Sequence, residues 1–188
     1  MTSPGAVEGI GGPRYTSAMA IGQAELLRRL DELGIAHTTF EHPPVYTVEE
    51  AERHTGHLAG GHCKNLFLKD RKGGLWLLVC LKERRIDINR LAKVLGCARL
   101  SFGRAELLEE VLGVAPGGVT PFALGNDRER RVQPLLDRAM LGWERLNYHP
   151  LTNAATTTIA AADLPRFIEA CGHTPRILDL EATGIATG

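Results

Sequence analysis

The stretch that decides the fold is KNLFLKDRKGGLWLLVCL, residues 64–81. Its two apolar runs, residues 66–68 and 75–81, flank a polar turn that contains two glycines, and this pattern predicts a β-hairpin. The second run has no polar alternation, which is typical of a strand that is covered on both faces. We therefore expect this strand to lie in the centre of a sheet.

Helices and short strands are mixed on both sides of this hairpin. Leu26, Leu30 and Leu33 form an apolar stripe that predicts a first helix, and Thr47 and Glu50 have the spacing of a capping box for a second. The remaining pattern predicts helices at residues 87–95, 103–112 and 164–171, and strands at residues 37–41, 99–102, 132–136, 144–148, 156–159 and 176–180. Because regular βαβ alternation is missing, we assign an α+β fold with a mixed, largely antiparallel, barrel-like sheet flanked by helices.

The length and composition predict one domain. A chain of 188 residues with 44% hydrophobic content can build one core of ordinary size. We expect residues 1–20 to form a flexible N-terminal extension, residues 21–181 to form the domain and residues 182–188 to form a C-terminal tail. No apolar run in the sequence is long enough to span a bilayer, so we expect a cytoplasmic protein without a membrane partner.

The charges are balanced overall and segregated along the chain. Residues 64–104 carry eleven Lys or Arg and three acidic residues, a net charge of +8, and the rest of the chain has a net charge of −8. Such segregation is typical of a protein that binds a phosphate backbone with one face. The alternative is that these charges scatter over the surface after folding.

Lys64 and Asn65 are the first candidates for chemistry. A lysine at the start of a buried strand is unusual, and a partly desolvated ammonium can stabilise negative charge that develops during a reaction. Asn65 could donate or accept a hydrogen bond beside it. The ordinary alternative is a lysine at a strand end that reaches water.

Two further segments could converge on this lysine. Residues 113–122, GVAPGGVTPF, form a loop whose backbone could approach a ligand, although a helix C-cap at Gly113 and a turn at Pro116 and Gly117 explain the pattern equally well. His149, which precedes Pro150, could orient a substrate or transfer a proton at neutral pH. The alternative is a histidine that only makes a hydrogen bond within its loop.

The sequence predicts neither a metal ion nor an organic cofactor. His54, His57, His62 and Cys63 lie close together in sequence but match no familiar metal-ligand spacing. No nucleophile elbow of the G-x-S-x-G type is found, which disfavours covalent catalysis. The four cysteines lie in or beside apolar segments without a C-x-x-C pair, and we expect buried free thiols at Cys63, Cys80, Cys97 and Cys171.

Taken together and in this order, the motifs resemble the YbaK/ProX family of aminoacyl-tRNA deacylases, most closely its free-standing prolyl-tRNA editing members. The resemblance extends from about residue 21 to residue 180. The matching residues are His42-Pro43-Pro44, Lys64-Asn65, residues 113–117 followed by Thr120-Pro121-Phe122, and His149-Pro150 with Asn153. This resemblance to the family implies the editing-domain fold and a trans-editing hydrolase that removes alanine from mischarged proline tRNA. Members that remove cysteine or serine share much of this pattern.

The resemblance also implies roles for individual residues. Lys64 would anchor the ester end of the substrate, Asn65 and His149 would be the other catalytic residues, and the terminal ribose hydroxyl would help to activate water. Substrate-binding positions would be Gly113, Pro116, Gly117, Gly118, Thr120 and Asn153. A pocket walled by residues 113–118 could admit a methyl side chain and reject a proline ring, and Lys69 and Arg99 would contact the acceptor stem.

Mischarged tRNA(Pro) is the expected partner, and prolyl-tRNA synthetase or an elongation factor remains open as a transient one. Two other functions also stay open. The first is a non-catalytic tRNA-binding module of the same fold, and the second is a thiol-based redox or metal protein built around Cys63 and the nearby histidines. Deacylation by the purified protein distinguishes the enzyme from both.

Overall fold

The computed structural model describes residues 20–187, so the extension predicted for residues 1–20 lies outside the described residues except for Ala20. Five α-helices are found in this part of the chain: α1 (Gln23–Glu32), α2 (Val48–Thr55), α3 (Ile88–Leu95), α4 (Ala105–Leu112) and α5 (Asp163–Ala170). Two short 3-10 helices, Pro121–Asn126 and Met140–Gly142, accompany them. Each helix predicted from apolar periodicity is confirmed.

The strands follow the predicted order. They are β1 (His37–Glu41), β2 (Gly61–Lys69), β3 (Leu75–Leu81), β4 (Arg85–Ile86), β5 (Ser101–Phe102), β6 (Val132–Asp137), β7 (Arg145–Tyr148), β8 (Ala155–Ala160), β9 (Arg176–Leu178) and β10 (Ala186–Thr187). The predicted hairpin is the antiparallel pair β2 and β3. β2 is longer than its apolar run because it begins at Gly61, and it therefore includes Lys64 and Asn65.

The main sheet has the order β1-β8-β7-β2-β3-β6-β9, with β5 also paired to β2. The pairs β2 with β7, β3 with β6, and β6 with β9 are parallel, and the other pairs of this sheet are antiparallel. The predicted α+β class and mixed sheet are confirmed. The described strands leave the sheet open, because β1 and β9 lie at its two ends and do not pair with each other.

Apolar side chains cover both faces of β3, as its sequence predicts. Leu77 and Val79 belong to a core under α1, α4 and α5, whereas Leu78 and Cys80 belong to a second core under α3 and the C-terminal residues. Alternate residues of a strand point to opposite faces, so a strand between two cores must be apolar throughout.

The last residues of the described chain are part of the folded unit, which differs from the C-terminal tail expected from residue 182 onward. Ile185 is only 1% exposed and belongs to the second core. Ala186 pairs with Ile86, which joins β10 to β4. A short apolar segment of this kind is ordered by long-range contacts that its own sequence does not reveal. None of the described helices is long and apolar enough to cross a membrane.

The junction between β2 and β7 is the feature that positions the site. These two strands pair at only two positions, Gly61 with Leu146 and His62 with Asn147. Beyond His62, β2 continues alongside β3, and β7 continues alongside β8. The sheet therefore divides into two parts after this short parallel contact.

Candidate active site where two strands diverge

A pocket of about 150 Å³ lies where β2 and β7 diverge. Its walls come from α2, the start of β2, the turn after β3, the end of β7 and β8. The lining residues are Ala51, Glu52, Thr55, His62, Cys63, Lys64, Asn65, Lys82, Asn147, Tyr148, His149 and Thr156. Of the residues predicted to act in catalysis, the fold thus brings Lys64, Asn65 and His149 to one place.

Lys64 is half-buried, and a backbone carbonyl fixes its ammonium. The Lys64 Nζ donates a hydrogen bond to the backbone oxygen of Arg84, in the turn that follows β3. Arg84 is itself buried and forms ion pairs with Asp137, at an Nε to Oδ2 distance of 3.4 Å, and with Glu181. One of the three N–H groups of Lys64 is therefore committed to positioning, which leaves two for a ligand.

Asn65 projects from β2 on the side opposite to Lys64, because neighbouring strand residues alternate. Its Nδ2 donates to the backbone oxygen of Val119 at 2.9 Å. The side-chain oxygen, Oδ1, is buried and has no hydrogen-bond partner within residues 20–187. Asn65 therefore contributes an unused acceptor rather than a second donor next to Lys64.

His149 is held as a neutral ring. Its Nδ1 lies 3.1 Å from the backbone oxygen of Ala155 and must donate to it, which leaves the lone pair on Nε2. Burial lowers the pKa of His149, and the neighbouring His42 lowers it further. A neutral imidazole with a free Nε2 can accept a proton or a hydrogen bond at neutral pH.

His42 packs beside His149 and supports this part of the pocket. Its ring centroid lies 6.4 Å from that of His149 and 6.1 Å from that of His54. The His42 Nδ1 donates to the Pro43 backbone oxygen at 2.8 Å, so its Nε2 accepts from the Thr156 hydroxyl at 3.1 Å. The His42-Pro43-Pro44 motif thereby fixes Thr156, which lines the pocket.

His62 also lines this pocket, a position that its sequence neighbourhood does not predict, because the nearby histidines and Cys63 suggest only a metal cluster. The His62 Nε2 is buried and has no hydrogen-bond partner in the described part of the chain. Burial and the nearby Lys82 lower the pKa of His62. Among the described side chains, no group of three or more His, Cys, Asp or Glu is arranged to hold a metal ion. The proximity of His62 to Lys64 along β2 was the only signal available in the sequence.

The glycine-rich loop, residues 113–120, lies outside the set of pocket-lining residues. Gly113 is the left-handed C-cap of α4, with φ of 64°, and Gly118 N donates to Ala115 O at 3.0 Å in a turn. Thr120 begins the following 3-10 helix and accepts from Phe122 N at 3.4 Å. The loop forms the C-cap and turn that its sequence also allowed. Its described link to the pocket is the hydrogen bond from Asn65 to Val119.

Asn153 also lies outside the pocket lining. Its Nδ2 donates to Val45 O at 3.0 Å, and Val45 N donates back to Asn153 O at the same distance. These two bonds fasten the segment that follows His42-Pro43-Pro44. The structure thus gives Asn153 a supporting contact.

Lys69 and Arg99 lie toward the other end of β2. Lys69 ends this strand and pairs with Ser101, and Arg99 is exposed just before β5. Lys69 follows Lys64 by five positions, which corresponds to about 17 Å along a strand. The two predicted tRNA contacts are therefore neighbours of each other and are separate from the pocket.

The four cysteines are free thiols, but only Cys80 is buried as predicted, whereas Cys63, Cys97 and Cys171 are partly exposed. Burial raises the pKa of Cys63 to about 12 and that of Cys80 to about 12. The Cys63 Sγ donates to the Tyr148 hydroxyl at 3.6 Å within the pocket. Because only a thiolate is an effective nucleophile, Cys63 is poorly suited to covalent or redox chemistry.

The sequence matches a known domain family and several named relatives. The model of the aminoacyl-tRNA editing domain matches residues 42–167. Prolyl-tRNA synthetase associated domain-containing protein 1 of Danio rerio is 42% identical over 168 residues, which cover 86% of this chain and 91% of that protein. Prolyl-tRNA editing protein ProX of Acetoanaerobium sticklandii is 35% identical over 156 residues, which cover 82% of this chain and 95% of that protein.

A solved structure has a similar fold. It is the crystal structure of a candidate trans-editing enzyme for prolyl tRNA synthetase, and it matches with a TM-score of 0.65 over 84% of this chain and 95% of that one. The two sequences are 22% identical in this comparison. At that level of identity, the match supports the fold alone.

Proposed function

Because the chain belongs to the aminoacyl-tRNA editing domain family, we propose that it is a trans-editing hydrolase that deacylates mischarged proline tRNA. The observation that carries the proposal is that a fixed lysine ammonium, on Lys64, and a neutral imidazole, on His149, line one small pocket. The relative named prolyl-tRNA editing protein supports the choice of proline tRNA.

The reaction requires water to attack the carbonyl carbon of the ester that joins the amino acid to the terminal ribose. Negative charge then develops on the carbonyl oxygen, and the two remaining N–H groups of Lys64 can stabilise it. As the bond from the carbonyl carbon to the ribose oxygen breaks, that oxygen takes up a proton and the hydroxyl of water remains on the amino acid. The products are the free amino acid and the uncharged tRNA.

His149 is suited to guide the proton in this reaction. With Nδ1 donating to Ala155, its Nε2 can accept a hydrogen bond from the attacking water or from the ribose hydroxyl beside the ester. The lowered pKa of His149 keeps this nitrogen unprotonated at neutral pH. Lys64 and His149 thus supply complementary functions, one stabilising charge and the other accepting a proton.

We propose alanine as the amino acid that is removed. A synthetase pocket shaped for proline cannot exclude a smaller side chain by size, so a second site is needed to remove it. The pocket, about 150 Å³ in volume, must hold the ester together with part of the ribose. We propose that the space left for the side chain accepts the methyl group of alanine and excludes the proline ring.

Side-by-side deacylation tests this proposal. Purified protein would be given tRNA(Pro) charged with alanine, serine, cysteine or proline, and amino-acid release would be followed at equal tRNA concentrations. We expect the alanyl ester to be hydrolysed fastest and the prolyl ester to be spared. Preferred release of cysteine or serine would identify a different amino acid as the substrate. Binding of tRNA without release of any amino acid would indicate a non-catalytic tRNA-binding module.

A further inference from the structure

Two of the residues that line the pocket carry a buried polar atom without a partner. These atoms are Asn65 Oδ1 and His62 Nε2, and neither has a hydrogen-bond partner in residues 20–187. Buried polar groups in folded proteins are nearly always paired, because an unpaired one loses its bonds to water without replacement. In the described part of the chain an unpaired atom also occurs away from this pocket, at His37 Nδ1, so Asn65 Oδ1 and His62 Nε2 are distinguished by belonging to residues that line the pocket, where a ligand can supply the partner.

The chemical role of Asn65 is fixed by its other contact. Val119 O is a carbonyl oxygen and can only accept, so the group 2.9 Å from it must be the NH2 of the Asn65 side chain. The remaining atom, Oδ1, is an acceptor and nothing else. The ligand group that satisfies it must be a hydrogen-bond donor.

An aminoacyl ester of tRNA offers few donors near its reacting carbon. The ester carbonyl and the phosphates accept hydrogen bonds, the methyl group of alanine does neither, and the donors are the α-amino group and the ribose hydroxyls. The α-amino group donates whether or not it is protonated. It is also attached to the carbon next to the ester, within the part of the substrate that the pocket must hold.

The position of Asn65 also separates the amino group from the charge of Lys64. Because residues 64 and 65 project to opposite sides of β2, the ester carbonyl can face the ammonium while the amino group faces the amide oxygen. A second cation that lines the pocket, Lys82, is engaged in an ion pair with Glu52. The ester carbonyl oxygen, an acceptor, can thus face the donor on Lys64, and the amino group, a donor, can face the acceptor on Asn65.

We propose, on the basis of the deacylase function above, that Asn65 Oδ1 accepts a hydrogen bond from the free α-amino group of the esterified amino acid. The enzyme then selects aminoacyl esters and discriminates against esters that lack this group or carry an acyl group on it. Selection for the amino group is independent of selection for a small side chain, because the two groups leave the α-carbon in different directions.

The test compares alanyl-tRNA(Pro) with propionyl-tRNA(Pro), in which a hydrogen atom replaces the amino group. Each enzymatic kcat/KM is divided by the rate of spontaneous hydrolysis of the same ester, because the amino group also activates the ester itself. For the wild-type protein we expect this normalised ratio to favour the alanyl ester by about tenfold, the effect of one hydrogen bond to an otherwise unpaired buried group.

Two variants separate recognition by Asn65 from a purely structural role. Asn65→Ala removes the acceptor and should bring the normalised ratio close to one. Asn65→Asp also loses the bond to Val119 but keeps an acceptor, so it should retain the preference for the alanyl ester even where its overall rate falls. A structural role would lower the rates of both esters equally and leave the ratio unchanged in both variants.

The outcomes distinguish this inference from the proposed function. Equal normalised rates for the two esters in the wild-type protein would overturn the role of Asn65 while the deacylase remains. An unchanged ratio in a folded Asn65→Ala variant would do the same. If the wild-type protein hydrolyses neither ester, the proposed function fails and the inference fails with it. The wild-type comparison decides the question even if both variants fail to fold.

Discussion

The pocket and the glycine-rich loop meet at Asn65, and they differ in the contacts that the structure gives to their polar groups. In the loop, Gly113 N donates to Glu109 O and Gly118 N donates to Ala115 O, both at 3.0 Å. In the pocket, Asn65 Oδ1 and His62 Nε2 are buried and unpaired within the described chain. The glycines of the loop thus serve a helix C-cap and a turn, whereas two residues that line the pocket keep a buried side-chain atom without a partner among residues 20–187.

Glycine content alone therefore does not mark a site. Glycine provides conformational freedom, and here helix termination and a turn use that freedom. Unpaired polar groups cost stability, and the two at Asn65 and His62 lie in the pocket that also holds Lys64 and His149, which favours a use in ligand binding. Function should therefore depend on the pocket and only weakly on the loop.

Lys64→Ala should give the largest loss. Removal of one preorganised charged donor typically lowers kcat by about 10²–10³-fold, and the fold should persist because the described hydrogen bond of the ammonium is to a single backbone oxygen. Deacylation of alanyl-tRNA(Pro) and a thermal melt would be measured together. Lys82→Ala is the matched control, since this lysine also lines the pocket but is paired with Glu52. A Lys64→Ala variant within a factor of a few of wild type would remove Lys64 from the reaction.

His149→Gln should give the next largest loss, about 10²-fold in kcat, because glutamine cannot accept the proton. Burial lowers the pKa of His149 below 6.5, so the neutral, active ring should persist into mildly acidic solution. The wild-type rate should be flat near neutral pH and should fall only as the pH drops through this lowered pKa. The profile of kcat against pH is the measurement.

The control for His149 is His62→Gln, because burial lowers the pKa of His62 as well. If His149 is the base, the acid limb of the profile should persist in His62→Gln and disappear in His149→Gln. The reverse result would assign the proton transfer to His62. Stability should also decline below pH 6.5, since the unfolded chain takes up protons that the buried neutral rings do not.

Lys69→Ala and Arg99→Ala should affect binding and leave the chemistry intact, because Lys69 at the end of β2 and Arg99 just before β5 both lie outside the pocket lining. Each should weaken affinity for tRNA and reduce the log-log salt slope of binding by roughly one unit for each phosphate that the variant no longer neutralises. The kcat at saturating tRNA should stay unchanged. Arg166→Ala is the control, since Arg166 is an exposed arginine on α5 paired with Asp163. Unaltered affinity in both test variants would place the tRNA on another face.

Gly117→Ala should have the smallest effect on activity. Gly117 has φ of 90° and open space where a Cβ would lie, so alanine there should lower the free energy of unfolding by about 1–2 kcal/mol through backbone strain. Because the loop does not line the pocket, kcat for alanyl-tRNA(Pro) should remain within a factor of a few. A denaturant melt and a deacylation assay measure the two effects. Lost activity in a folded Gly117→Ala or Gly118→Val variant would favour the loop as the wall that rejects proline.

The sequence by itself determined the secondary structure and the central strand. Apolar periodicity and capping residues lie within a few positions of one another, so α1, the β2 and β3 hairpin and the capping box at Thr47 could be predicted from neighbouring residues. The residue types and motif order also made Lys64 and His149 candidates for the site, and the structure brings both to one pocket.

Only the tertiary structure decided how the pocket is built. The two-residue contact between β2 and β7 joins parts of the chain that are far apart in sequence, and the divergence after it creates the pocket. Whether Asn65 Oδ1 or His62 Nε2 finds a partner depends on which distant atoms surround it after folding. The burial of residues 185–186 depends on the second core in the same way. Local patterns encode helices and strands because their hydrogen bonds and faces repeat along the chain, whereas hydrogen-bond satisfaction in a pocket is set by long-range packing.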